Sequence, residues 1–115
     1  MSMNPEVKTE LVKRLRDPNR KQGKYKLERE TGEQCCLGVL CEIAVEEGIV
    51  SKSLSDDGYV YYGEGENGWG HLALPPVLVK EWAGLNSHET RALSEMNDIQ
   101  GKTFSEIADY VEDNL

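Results

Sequence analysis

Positive charge is the first thing this 115-residue chain is short of. Lys and Arg number 13 against 21 Asp and Glu, giving a formal charge of -8 and a pI near 4.7. Binding to a phosphate backbone draws its affinity from clustered cations, so nucleic acid is not an expected partner. Long apolar runs are missing as well. No stretch approaches the length of a membrane span and no apolar leader core stands near the N-terminus, so neither a membrane nor an export route is expected. The chain has three cysteines, an odd number with two adjacent, which is not a secreted disulfide framework and fits a reducing cytoplasm. With only two histidines and Cys36 and Cys41 inside one helical run, no zinc-ligand spacing exists, so no metal and no cofactor is expected. Asn97-Asp98-Ile99-Gln100-Gly101 lacks the alternating acids of a calcium loop. Gly63, Gly65 and Gly68 have the letters of a nucleotide fingerprint without the strand and helix around them. Internal repeats and low-complexity tracts are also missing.

What is present suffices for one domain. The stretch Gln34-Cys35-Cys36-Leu37-Gly38-Val39-Leu40-Cys41-Glu42-Ile43-Ala44-Val45 is its longest apolar run. Thr31 and Gln34 stand at capping-box spacing before it, and Gly48 is a natural stop. The pattern predicts a central helix covered on more than one side, with Cys35, Val39, Glu42 and Glu46 along the edge most open to solvent. Before this helix the chain is basic: nine of the 13 cations lie between Lys8 and Arg29. Asn4-Pro5 opens a first helix with Val7, Leu11, Val12 and Leu15 on one stripe. Lys24-Tyr25-Lys26-Leu27 alternates as an extended arm would.

After the central helix the pieces are short. Ile49-Val50 is a candidate strand start, followed by a loop to Gly58. Tyr59 to Tyr62 predicts a strand, with Trp69 to Leu74 returning as its hairpin partner. Leu74-Pro75-Pro76 starts a helix that turns Val77, Leu78 and Trp82 inward and closes at Gly84. Ser87 is the predicted cap of the next helix, Asn97 to Gly101 a turn in which Asn97 suits positive φ, and Thr103-Phe104-Ser105-Glu106 the capping box of the last helix. The sum is a helix-rich α+β domain over residues 1–115, of about five helices and one small antiparallel hairpin or sheet. Its parts are an N-terminal helix and basic arm (1–33) and a core (34–115).

Two chemistries are open to it. Cys35 and Cys36 fall in the first turn of the central helix, where the dipole favours a thiolate. With His71 as base they would make a cysteine-dependent hydrolase or transferase. The other chemistry is binding. Tyr59, Tyr61, Tyr62 and Trp69 gather at one hairpin, and such rings join a flat apolar body to a polar tip. The basic arm, with Gln22 and Tyr25, would close over that platform and hold an anion. This reading assigns contacts to Gln22, Lys24, Tyr61, Trp69 and Asn97, and no catalytic residue.

Lys21-Gln22-Gly23-Lys24, the Cys-Cys-Leu-Gly-Val-Leu-Cys run at 35–41, Leu74-Pro75-Pro76 with Trp82-Ala83-Gly84-Leu85, Met96-Asn97-Asp98 and Thr103 to Ala108 follow one another in an order that resembles a family of small proteins of tailed bacteriophages and prophages. The resemblance spans roughly residues 20–113, and its Cys run is the most specific part. Met96 stands where leucine is usual. The resemblance implies a phage accessory protein in the host bacterial cytoplasm. By analogy of lifestyle, its partner would be a host protein or a small anionic, nucleotide-like ligand, and its role counter-defence. Both a monomer and a homo-oligomer are compatible with the sequence, and a virion component would predict a large oligomer.

Overall fold

Five helices and a two-stranded antiparallel sheet make up the computed structural model of the chain, which describes residues 3–29, 31–54, 60–63 and 75–115. This is the predicted α+β architecture.

Helix α1 (Pro5–Leu15) begins as its first residues dictate. Asn4 Oδ1 accepts from the amides of Glu6 at 3.0 Å and Val7 at 3.5 Å, and Pro5 occupies the first turn, where no amide partner is needed. Val7, Leu11, Val12 and Leu15 are buried. The helix packs against α5 (Phe104–Asn114) and α2 (Cys36–Glu46).

Helix α2 is the centre of the molecule. Eight of its 11 residues are buried. Its N-cap is Cys35, without a side-chain cap bond, because Thr31 instead donates to Glu33 Oε1 at 3.1 Å. The capping box expected at Thr31 and Gln34 does not form. The expected open edge is also closed at its upper end, since Cys35 is 3% and Val39 0% exposed. The arm lies against the adjacent Gly38. Leu27, itself fully buried, lays its backbone on α2 at Gly38, so close that a Cβ there would stand 1.6 Å from the Leu27 carbonyl oxygen. Only glycine admits that approach.

The arm is not a strand. It touches the chain just before α2 through two isolated bridges, Gln22 with Gln34 and Glu28 with Gln34, and turns between them with Tyr25 at φ 69°. Beyond α2, Gly48 takes φ 76° and the Ile49 amide reaches back to Ala44 O at 2.9 Å, the expected C-terminal stop.

Strand β1 (Ser51–Leu54) pairs with β2 (Val60–Gly63), Ser51 opposite Gly63 and Leu54 opposite Val60. The segment expected to be a loop therefore supplies the partner strand. The partner expected at Trp69 to Leu74 lies outside the described residues, as does Tyr59. Tyr62 is fully buried, so the sheet docks through this ring.

Helix α3 (Val77–Ala83) buries Val79 and Ala83, leaving Val77 54% and Leu78 39% exposed. Of the expected inward set, Trp82 alone packs against the core, half-buried. A seven-residue helix has room for one short i, i+4 stripe, and Val79 with Ala83 is the stripe that meets the core. Gly84 closes it at φ 78°, with Leu85 buried behind. Helix α4 (Ser87–Asp98) is capped by Asn86 with Glu89 rather than by Ser87. It continues through Asn97 and Asp98, and the positive φ of the following turn falls to Gly101 at 67°. Helix α5 opens on the predicted Thr103–Glu106 capping box.

Candidate functional site

Gln22 and Asn97, 75 positions apart, meet in the interior. Gln22 Nε2 donates to Asn97 Oδ1 at 2.9 Å and to Lys102 O at 2.8 Å, while Gln22 Oε1 accepts from the Phe104 amide at 2.9 Å. Asn97 Oδ1 also accepts from the Cys36 amide at 3.2 Å. Asn97 Nδ2 donates to Gly23 O at 2.8 Å and Asp98 Oδ1 at 2.9 Å. Asn97 is 0% exposed and both its lone-pair directions and both its protons are taken. These two residues were expected at a ligand. They instead tie the arm, the start of α2, the end of α4 and the start of α5 into one polar joint. Lys24 is exposed on the arm, its carbonyl accepting from Arg29 at 3.1 Å. For Tyr61 only the backbone on β2 is described, opposite Ser53, and Trp69 and His71 lie outside the described residues.

Cys35 and Cys36, at the start of α2, adjoin the same joint. Cys35, Cys36 and Cys41 are free and buried. Burial pushes the Cys35 thiol up to about 11, although the amides of Gly38 and Leu37 at the helix start pull the other way. Burial likewise raises Cys36 and Cys41. The dipole argument for a thiolate is thus outweighed by desolvation. Cys36 Sγ spends its proton on Leu93 O at 3.5 Å. Neither Cys35 nor Cys36 offers an ionised sulfur to solvent at neutral pH.

A charged network crosses the face where α1, the arm and α2 meet. Arg14 holds Glu10 at 2.8 Å, Glu42 at 2.9 Å and Glu46 at 2.6 Å, and Arg20 holds Glu42 at 2.6 Å. Burial pushes the Glu42 carboxyl up, but hydrogen bonds from Arg20 and Arg14 outweigh it, and the group ends below the usual carboxylate range. Nearby, Glu28 accepts from the Tyr62 hydroxyl at 2.5 Å and pairs with Lys52 at 2.6 Å, latching the sheet to the arm. Burial, then Glu28, raises the Tyr62 phenol. Among the described residues no group of three or more His, Cys, Asp or Glu is placed to hold a metal, and no helix is long and apolar enough to cross a membrane.

Tyr25, expected on an arm closing over the hairpin aromatics, stands instead beside α4. It is 60% exposed and holds φ 69°, a conformation that strains a bulky side chain. Asp98 Oδ1 secures it by accepting the Tyr25 amide at 2.9 Å, and Asn97 and Ser94 Oγ in turn donate to the Asp98 carboxylate. Tyr25 lines a groove of about 560 Å³ against α3 and α4. Lys80 and Arg91 supply positive charge there, Ser87, Thr90 and Ser94 hydroxyls, and Glu95 and Asp98 acceptors. The volume is in the range of small-molecule sites. The Lys-Tyr-Lys alternation marked the residue. The groove comes from α3 and α4, which no local pattern links to the arm.

The family model described as Domain of unknown function (DUF8296) matches residues 3–92, and the chain belongs to that family. No curated protein and no solved structure matches the chain.

Proposed function

We propose that this member of the DUF8296 family is a binding protein that holds a small anionic ligand, nucleotide-like in carrying a flat ring beside its charge, in the groove under Tyr25. One observation carries the reading: an exposed aromatic ring held in a strained backbone conformation over a groove that also presents Lys80 and Arg91. Strain of this kind costs about 1–3 kcal/mol and persists where the surroundings enforce it, as the Asp98 carboxylate does here. A flat ring stacks on Tyr25 and an anionic group meets Lys80 and Arg91, while Glu95 and Asp98 accept from ligand N–H or O–H groups. The resemblance of the Cys-Cys-Leu-Gly-Val-Leu-Cys run to phage and prophage proteins supports the biological setting we propose: a phage accessory protein in the host bacterial cytoplasm, sequestering a ligand of host defence.

Native mass spectrometry of protein purified gently from bacterial lysate tests this. Retained mass in the nucleotide range, lost on Tyr25→Ala and on Arg91→Ala with the fold intact by circular dichroism, is the expected result. Protein that carries no added mass, and that takes up none from a panel of mono-, di- and cyclic nucleotides, overturns it.

A further inference from the structure

Helix α3 has a second working side. Lys80 lines the Tyr25 groove, and Trp82, two residues on and so about 200° round the helix, lines a different one of about 250 Å³ between α1 and α2. Its floor is apolar: Val7 and Ile43 are 5% and 4% exposed and Trp82 is half-buried beside them. Its walls are acidic. Among the described residues, Glu6, Glu10, Glu46 and Glu47 stand there against the one guanidinium of Arg14, an excess of three negative charges. Arg14 pairs with Glu10 and Glu46, while Glu6 and Glu47 are not among its partners. Glu47 is also the C-cap of α2, where the helix dipole adds negative potential.

We propose that this groove docks a segment of another protein that carries a Lys or Arg next to apolar side chains. The cation lies along the Trp82 indole between the Glu6 and Glu47 walls, an arrangement that joins cation–π attraction to charge complementarity. The choice of a polypeptide over a free polyamine rests on α3. Leu78 stands one turn before Trp82 on the same side of the helix and is 39% exposed. The contact surface thus runs from the acidic groove onto apolar ground that a diffusible amine has little means of covering. This docking is independent of the Tyr25 groove.

The test uses the isotope-labelled full chain, titrated in turn with a short peptide alternating leucine with lysine and arginine, with the same peptide bearing glutamate in place of its cations, and with spermidine. Trp82→Phe assigns the indole signal. The cationic peptide is expected to shift the Trp82 indole and the backbone amides of Glu46 and Glu47, and added salt should weaken it. The double variant Glu6→Lys, Glu47→Lys should weaken it by at least about tenfold, and Tyr25→Ala should leave it unchanged. A Trp82 signal unmoved by the cationic peptide, or affinity untouched by the double variant, overturns the proposal. Spermidine binding as tightly as the peptide also overturns it, by making the groove a polyamine site.

Discussion

Replacing Gly38 with alanine tests the seating of the arm on the central helix. In an exposed helix interior this change is stabilising by roughly 1 kcal/mol, because alanine restricts the unfolded chain and suits the helix. Here the sign reverses. The new Cβ meets Leu27 O at 1.6 Å, Leu27 C at 2.6 Å and Leu27 Cα at 3.1 Å, all of them backbone atoms, against an ordinary contact of 3.4 Å or more. No rotamer relieves this, so the arm must retreat by somewhat under 2 Å. That retreat uncovers Leu27, now 0% exposed, whose burial is worth about 1.5–3 kcal/mol, and stretches the bonds between Gly23 and Gln34. Overpacking of this kind costs about 1–3 kcal/mol and occasionally more. With the propensity gain subtracted, the expected loss is about 3 kcal/mol, or about 12 °C in Tm for a domain of this length. Urea unfolding followed by tryptophan fluorescence, with calorimetry for Tm, measures it. Gly48→Ala is the control: φ is 76° with nothing within 4 Å of the added carbon, so only backbone strain of about 1 kcal/mol applies. A Gly38→Ala protein as stable as the parent, or more so, refutes the close approach of the arm to α2.

Asn97→Ala should cost about 3 kcal/mol in urea unfolding by leaving the Cys36 amide and Gly23 carbonyl without their partner. Asn97→Asp should be worse at neutral pH, because it turns an oxygen towards Gly23 O and the Asp98 carboxylate, and should recover partly on mild acidification. Alkylation should leave all three thiols untouched in native protein at pH 8 and label all three in denatured protein. The Cys35 thiol is raised in the fold from its ordinary 9.0 to about 11, so the unfolded chain loses that proton first and stability should fall across pH 9 to 11. The opposite sign holds for Glu42, whose folded value is lowered. Its stabilising share is present above the ordinary 4.5 and lost as pH falls through the folded value. Arg20→Met should therefore flatten the acid limb of a stability profile, and an unchanged limb would remove Glu42 as its source.

The sequence by itself determined the features that neighbours along the chain control. Asn4-Pro5, Thr103 with Glu106, and Gly84 cap helices because each cap bond or positive φ lies within about four residues of what it satisfies. The stripes Val7–Leu11–Leu15 and Phe104–Ile107–Ala108–Val111 follow helical period for the same reason, and both are buried as their spacing predicts. Where two local signals competed, the pattern did not say which would prevail. Thr31 lost its cap to Glu33, Asn86 took the place of Ser87, and the loop after Val50 became the strand that Val60 to Gly63 pairs with. What only the tertiary structure decided is which surfaces face each other. Cys35 and Val39 are buried, and beside them Leu27 seats an otherwise polar arm on Gly38, a contact that no local pattern announces. Gln22 and Asn97 were visible as polar residues, and polarity alone does not distinguish a ligand contact from a buried joint; in the fold they bond to each other across 75 positions. The Tyr25 groove belongs to the same class, since its ring comes from the arm and its cations from α3 and α4. Caps and periods are encoded within one helical turn, whereas burial and convergence depend on chain closure over tens of residues.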